Sequence, residues 1–311
     1  MGPKPSIQVR ANKMDLIRLF LSSMAQDQII TNAPIIPDGI LHRFHIKGDK
    51  MHTRNGWYVL YSDGIASGAY GSWKMSLSKK WCSKSRNQMS IAQWQTHLKK
   101  MEEAQRQRDE AKAAEQQRAS TRATVIWEHS QLANPNHTYF LNKDITPFNA
   151  RQRGDTIILP IIDCQNTIWS LEFIHPDGSK FLLTGGAKRA HHILVNGSLD
   201  LARILICEGF ATGATLAKDH PSACVIAAID AGNLEPVATS IRRYKPHSEI
   251  IICADDDRQT PGNPGKTKGR HAAIAAGALL ALPQWPSSAP SSLTDYNDLA
   301  CWRRRNTETM A

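Results

Sequence analysis

Three stretches decide the fold: Ile204-Leu205-Ile206-Cys207-Glu208-Gly209, Val225-Ile226-Ala227-Ala228-Ile229-Asp230, and Ile250-Ile251-Ile252-Cys253-Ala254-Asp255-Asp256-Asp257. Each is an apolar run of strand length that stops on a carboxylate. Helix-length segments separate them. Such runs read as buried parallel strands of an α/β sheet. Ligands of such sheets sit at the carboxyl ends of the strands. Glu208, Asp255 and Asp257 are therefore expected to meet at one edge. Acids held that close repel each other unless a cation lies among them. Oxygen-only ligands suit Mg²⁺ or Mn²⁺, and a divalent ion among acids equips a site for phosphoryl transfer. Asp255 and Asp257 stand two apart where the strand bends into its loop, and both can reach a metal there. Asp256, between them, is expected to point away.

Outward from these runs, helices are expected from Glu208 or just after it, and from about Leu234 to Tyr244. A Gly/Pro-rich loop carrying Lys266, Lys268 and Arg270 leads into an Ala-rich helix that reads through to Leu282. A Pro/Ser linker (283–292) precedes Asp295-Tyr296-Asn297-Asp298-Leu299. Upstream, residues 156–162, 168–174 and 180–183 alternate with Asp163-Cys164-Gln165-Asn166 and Pro176-Asp177-Gly178. They read as an antiparallel meander. Gly185-Gly186-Ala187-Lys188-Arg189 follows as a flexible basic loop able to contact phosphate, without P-loop spacing.

The front of the chain differs in charge. Residues 1–125 hold 20 Lys+Arg against 10 Asp+Glu, and the remainder holds 18 of each, so the net +10 lies wholly in the first part. The count leaves open a polyanionic partner or a merely solvated basic face. Residues 14–28 have helical spacing of Leu16, Leu19, Phe20 and Met24. Residues 41–46, 56–61 and 69–74 read as strands of a small antiparallel sheet. There Arg43, Lys47, Lys50, Arg54 and Lys74 interleave with aromatics, a mixture that suits single-stranded nucleic acid; Trp57 and Trp73 read better as core. Ser90 to about Arg122 is a polar helix without Pro or Gly, a connector rather than a coiled coil, since apolar heptads are absent. The resulting division is a basic module (1–89), a connector helix (90–130), a β-rich segment (131–200) and an α/β catalytic domain (201–311).

The length of 311 residues accommodates more than one domain. No apolar run approaches a membrane span. The start, MGPKPSIQVR, lacks the apolar core of a signal peptide, which places the expected compartment in the cytoplasm. The six cysteines form no CxxC pair, and His42, His45, His52 and Cys82 are too loosely spaced for a zinc site. No zinc is expected.

Taken together, CEGFATGATL, AIDAGNL, IICADDD, NPGKTKGRHAA and DYNDL resemble the Toprim primases of plasmids, integrative elements and phages. The resemblance covers about residues 130–300, with a weaker likeness over 35–81 (DGILHRFHIKGDK and GSWK). It implies a Toprim-like parallel core preceded by an antiparallel β subdomain (α/β, α+β overall), with the basic N-terminal module joined by the long helix. It implies synthesis of short RNA primers from NTPs on a single-stranded DNA template, with Glu208, Asp255 and Asp257 as catalytic, metal-binding acids. Asp295 and Asp298 stand at the place of a further acidic pair. Two Mg²⁺ (or Mn²⁺) ions would serve the reaction, and Lys188, Arg189, Lys266, Lys268 and Arg270 are candidates for triphosphate or template phosphates. Arg43, Lys47, Lys50, Arg54 and Lys74 are candidates for template DNA. A helicase partner would be a separate protein. The chain departs from DnaG-type primases in lacking zinc-ribbon cysteines and in having Thr212 where some carry another acid. A Toprim nuclease, or a non-catalytic single-stranded-DNA-binding accessory protein, is the alternative.

Overall fold

The computed structural model describes residues 7–75 and 77–308. The chain divides into two compact units, residues 1–113 and 114–311. Among the described residues, no helix is long and apolar enough to cross a membrane.

In the first unit, α1 (Ile7–Gln26) is followed by β1 (His42–Phe44), β2 (Gly56–Tyr61), β3 (Ser67–Ser72) and β4 (Leu77–Cys82). The four strands form one antiparallel sheet in the order β1-β2-β3-β4. The third strand lies two residues before the expected 69–74, and β4 has no counterpart in the sequence reading: LSKKWC alternates weakly and is mostly polar. The core joins Phe20, Met24 and Ile29 to Phe44, Tyr58, Leu60 and Tyr70. Trp57, Tyr58 and Tyr70 are buried, and Phe20 meets Tyr58 and Tyr70 edge to face. These aromatics are thus part of the sheet's own core and are not displayed for stacking on bases. α2 (Ile91–Glu128) begins at a capping box in which Gln93 N–H donates to Ser90 Oγ at 3.2 Å and Ser90 N–H to Gln93 Oε1 at 2.9 Å.

In the second unit, β5 (Gln131–Leu132), α3 (Thr138–Lys143), β6 (Arg151–Arg153), β7 (Thr156–Ile162), β8 (Ile168–Ile174) and β9 (Lys180–Leu182) supply an antiparallel meander, β5-β6-β7-β8-β9. β10 (Ile193–Asn196), β11 (Arg203–Cys207), α4 (Phe210–Asp219), β12 (Cys224–Ala227), α5 (Leu234–Tyr244), β13 (Glu249–Cys253), α6 (Pro264–Ala276), β14 (Leu279–Ala281) and α7 (Tyr296–Glu308) follow. The second sheet has the order β10-β12-β11-β13-β14. β12, β11, β13 and β14 are parallel, and β10 runs antiparallel at one edge.

The apolar runs explain the sheet's burial. Ile204, Ile206, Ile226, Ile250 and Ile252 face α5 and α6, where Leu234, Val237, Ile241 and Ala272 complete one core. Leu205, Cys207, Val225, Ala227 and Cys253 face the other way, onto Phe210, Ala214 and the meander's Ile157, Leu159 and Ile161. A sheet covered on both faces needs apolar residues at every position, which is why these strands read as continuous runs.

Parts of this unit depart from expectation. The Ala-rich helix does not reach Leu282: α6 ends at Ala276, because Gly277 takes a left-handed φ of 56° and its N–H closes on the last carbonyls. Leu279–Ala281 then form an added parallel strand. Ile193–Asn196 is a strand of the same sheet, hidden in sequence by its shortness and by its position after a loop.

Candidate active site

β11 and β13 are neighbours in parallel register, Cys207 opposite Cys253. Glu208 and the segment 254–257 therefore leave the sheet side by side at its carboxyl edge. They open into a pocket of about 370 Å³ lined by Glu208, Asp255 and Asp295, and also by Tyr139, Asn142, Lys143 and Lys180. α4 starts immediately after Glu208, with Gly209 as its N-cap, so the helix N-terminus also faces this edge.

The three aspartates after β13 separate in role. Asp255 lines the pocket, and its Oδ1 is buried without a hydrogen-bond partner. Burial first, then the charges of Glu208, Asp295, Asp257 and Asp298, push its carboxyl up to about 8. Asp256 turns away: its carboxylate accepts from Asn263 Nδ2 at 2.7 Å and from Trp285 Nε1 at 3.0 Å. Asp257 Oδ2 accepts the Gly265 N–H at 2.7 Å, at the start of α6, and its own N–H donates to Asn263 Oδ1 at 2.9 Å. Asn263 thus holds both Asp256 and Asp257 and caps α6.

Glu208 has its carboxyl raised by burial, opposed by a hydrogen bond from the Ala231 backbone. Asp257 and Asp230 raise it further, and Lys180 lowers it. The DYNDL segment is largely a helix start. Asp295 Oδ1 accepts the Asp298 N–H at 2.7 Å, and Asp298 Oδ2 accepts the Thr294 N–H at 3.1 Å, a reciprocal cap of α7. Asn297 is fully buried and ties Lys143 O (2.7 Å) to Thr215 Oγ1 (3.0 Å). Asp295 still faces the pocket, and burial holds its carboxyl above the ordinary range. Asp298 is turned to the backbone of Thr294.

Hard-cation chemistry fits this donor set. The acids at the edge offer oxygen only, and a buried unpartnered carboxylate oxygen is a costly group unless something positive completes it. Among the described residues, no three His, Cys, Asp or Glu side chains stand close enough together to hold one ion as they are arranged. Glu208, Asp255, Asp257 and Asp295 are the residues that would close on a divalent cation.

The cations are distributed differently from the sequence reading. Lys188 pairs with Asp230, and Asp230 also caps the turn at Asn233. Arg189, Lys266, Lys268 and Arg270 are exposed; none lines the acidic pocket. Lys143, at the end of α3, and Lys180, on β9, do line it. A Cβ at Gly209 would lie 3.8 Å from Lys180 Nζ. No motif singles out either lysine. The same holds for Glu172, a buried carboxylate of β8 whose pKa is raised by burial and lowered by Lys180. Ile229, also on the pocket wall, holds φ at 80°, a strained conformation for a β-branched residue.

In the first unit, Lys47, Lys50 and Arg54 are exposed around the β1–β2 connection. Lys74 pairs with Asp49 at 2.6 Å, and Arg43 Nε donates to Arg54 O at 3.2 Å.

The segment that carries this edge is similar to known proteins. Residues 203–305 match the Toprim domain model. A DNA primase TraC of Escherichia coli is 32% identical over 262 residues, covering 80% of this chain and 24% of the relative. A second E. coli DNA primase TraC is 30% identical over 299 residues, covering 93% of this chain and 20% of the relative. The chain thus spans a quarter or less of the length of the curated relatives it matches. Among solved structures, a DnaG primase catalytic domain bound to single-stranded DNA is similar at a TM-score of 0.42 and 12% identity, covering 64% of this chain and 78% of that one. The primase fragment of the bacteriophage T7 primase-helicase is similar at 0.40 and 14%, covering 58% and 77%. With acids following the carboxyl ends of the adjacent parallel strands β11 and β13, and a family match over residues 203–305, this segment belongs to the Toprim domain family.

Proposed function

We propose that the chain is a DNA primase module, joining ribonucleotides into short primers on single-stranded DNA. The observation that carries the reading is the buried, unpartnered Asp255 carboxylate among Glu208, Asp257 and Asp295 in a Toprim domain. The curated relatives being DNA primases supports it. In this reading the 3′-hydroxyl of one nucleotide attacks the α-phosphate of an incoming NTP, and pyrophosphate leaves. Divalent cations, Mg²⁺ or Mn²⁺, held by Glu208, Asp255, Asp257 and Asp295, supply the positive charge that such chemistry needs. The pair of ions and the helicase partner drawn from the resemblance belong to the same proposal.

The chain's own residues divide the remaining work. Lys143 and Lys180 line the same pocket as the acids and bind phosphate oxygens, keeping the triphosphate from being repelled by four carboxylates. Glu208, at the end of β11, takes the proton of the attacking hydroxyl. Asp257, fixed by the Gly265 N–H, and Asp255 keep their spacing because Asn263 holds the loop around them. Lys188 is engaged with Asp230, so its phosphate contact requires release from that pair. Arg189, Lys266, Lys268 and Arg270, exposed, are left to the template backbone. Asp298 acts through the α7 cap rather than on the substrate.

The chain incubated with single-stranded DNA, labelled NTPs and Mg²⁺ is expected to yield new short RNA. Asp255→Ala and Asp257→Ala are each expected to lower synthesis by about a hundredfold or more, the loss typical of a group acting on transition-state charge. Synthesis retained in both variants overturns the assignment. Shortened DNA in place of RNA identifies a Toprim nuclease, and binding without either product identifies an accessory protein.

A further inference from the structure

Glu172, a carboxylate of β8, is 3% exposed and takes no part in the chemistry proposed above. The strand register shows what surrounds it. Its cross-strand partners are Leu159 on β7 and Leu182 on β9. Two residues along β8, Ile174 pairs with Lys180. Cross-strand partners share a face, and Leu159 and Ile174 belong to the core that the meander shares with the parallel sheet. Glu172 and Lys180 therefore project from that same face as diagonal neighbours, within reach of a long side chain. Glu172 is not itself part of the pocket lining, but Lys180 continues to the pocket and lines it with Glu208 and Gly209. A Cβ at Gly209 would lie 3.8 Å from the Lys180 Nζ.

Each group meets a need of the other. A carboxylate buried on an apolar face is costly without a positive partner. Burial raises the Glu172 carboxyl, Lys180 lowers it, and Asp230 raises it further. The ammonium has the converse need. Gly209 is the N-cap of α4, and the positive end of a helix repels a lysine. Glu208 offsets that repulsion, but it belongs to the set that would close on a divalent cation, and a cation there repels the ammonium in turn. Glu172 lies outside that set. Burial, then the charges of Glu172 and Asp295, raise the hydroxyl of Tyr139, another residue of the pocket wall. The field of Glu172 thus extends to the pocket. Among the described residues, neither Glu172 nor Lys180 has its side chain tied up in a hydrogen bond or close ion pair. The ammonium is held by charge and stays free to turn to a ligand, whereas Lys188 is engaged by Asp230.

We propose that Glu172 is a positioning residue, whose buried carboxylate holds the Lys180 ammonium at the pocket wall beside Gly209, where it meets a phosphate oxygen of the incoming nucleotide. The role toward phosphate rests on the primase reading; the pairing of Glu172 with Lys180 does not.

The full chain is compared with Glu172→Gln, Lys180→Met and the double variant. Urea unfolding in chelator, without nucleotide, measures the pairing alone. Lys180→Met is expected to raise the unfolding constant about fivefold more in the parent than in Glu172→Gln, a coupling within the range of interacting side chains. Equilibrium dialysis with labelled ATP and Mg²⁺ measures the positioning. Glu172→Gln and Lys180→Met are each expected to weaken binding about tenfold, the value of one charge-assisted contact. The double variant is expected to bind no more weakly than Lys180→Met. An equal cost of Lys180→Met to stability in both backgrounds overturns the proposal. So does ATP binding that Glu172→Gln leaves unchanged, or weakens to the same degree with and without Lys180, as a merely structural carboxylate would. The two failures are distinct: a parent that binds no ATP counts against the primase reading, whereas a parent that binds it, with variants that behave in either of these ways, counts against Glu172.

Discussion

At the scale of single residues, the proposed role of Asp255 sets function against stability. Its carboxyl is buried among like charges and pushed up to about 8, against an ordinary value near 3.8. Near neutral pH and without a cation, the fold bears a group it would rather keep protonated. Asp255→Asn keeps the shape and removes the conflict. We expect the cation-free variant to be more stable than the parent by roughly 1–2 kcal/mol, as happens when other strained active-site groups are replaced, while primer synthesis is lost. Calorimetry at neutral pH in chelator, beside the synthesis assay, checks both; a lower melting temperature would contradict the electrostatic account. This residue is legible in sequence because a strand rich in β-branched residues runs up to it. The alternation of neighbouring side chains likewise separates Asp256, which turns to Asn263 and Trp285. Lys143 and Lys180 are not legible. They reach the pocket from α3 and β9, far upstream, and nothing in FLNKD or SKFLL distinguishes a pocket lysine from a solvated one. The place of Asp298 in its motif suggests a metal ligand, whereas its observed bond to the Thr294 N–H is a helix cap that Asp-x-x-Asp satisfies as readily.

At the scale of elements, the packing of α6 onto the end of β13 fixes the acidic edge. The helix approaches so closely that two of its glycines have no room for a methyl group. A Cβ at Gly269 would stand 2.3 Å from Ala254 Cβ, and one at Gly265 would stand 2.8 Å from Asp255 O and 2.9 Å from Asp257 Oδ2. Overpacking of this kind costs about 1–3 kcal/mol. Gly269→Ala is expected to lower the unfolding free energy in urea by that amount. Gly265→Ala is expected to cost synthesis disproportionately, because the methyl group displaces the acids themselves and the Gly265 N–H that holds Asp257. Denaturation curves and synthesis rates for the pair separate these effects; equal loss of both properties in both variants would contradict the assignment of positions. The α/β elements are readable because double-sided burial demands continuous apolar runs. The helix stop at Gly277 is not: an Ala-rich segment favours helix on propensity, and the left-handed turn that ends it and the pairing of Leu279–Ala281 with β13 depend on tertiary contacts.

At the scale of the whole molecule, pH and salt report on different parts of the chain. His192 is 1% exposed, neither ring nitrogen has a partner, and burial lowers its pKa to about 4. The unfolded chain takes up a proton near the ordinary value of about 6.5, and the folded chain resists it until about 4. The contribution of His192 is therefore whole above pH 6.5 and is lost as pH falls toward 4, by about 3 kcal/mol for a shift of this size. Unfolding free energies between pH 7 and pH 4 should be flatter by that amount in His192→Leu. Salt acts on the front. The excess of positive charge lies in residues 1–125, and Trp57, Tyr58 and Tyr70 are buried in the sheet that carries much of it. With these aromatics spent on the core, any single-stranded DNA bound at this surface would be held chiefly by phosphate contacts, whose cost rises with every counterion returned. Lys47, Lys50 and Arg54 crowd the exposed β1–β2 connection. If all three touch phosphate, replacing them with Ala lowers the slope of log affinity against log salt by about 2, at roughly 0.7 per contact on a single strand. Anisotropy titrations of the full chain and the triple variant with labelled oligonucleotide over a range of salt give the two slopes directly. Parallel lines would remove this connection from the template path and leave the basic excess as a solvated face.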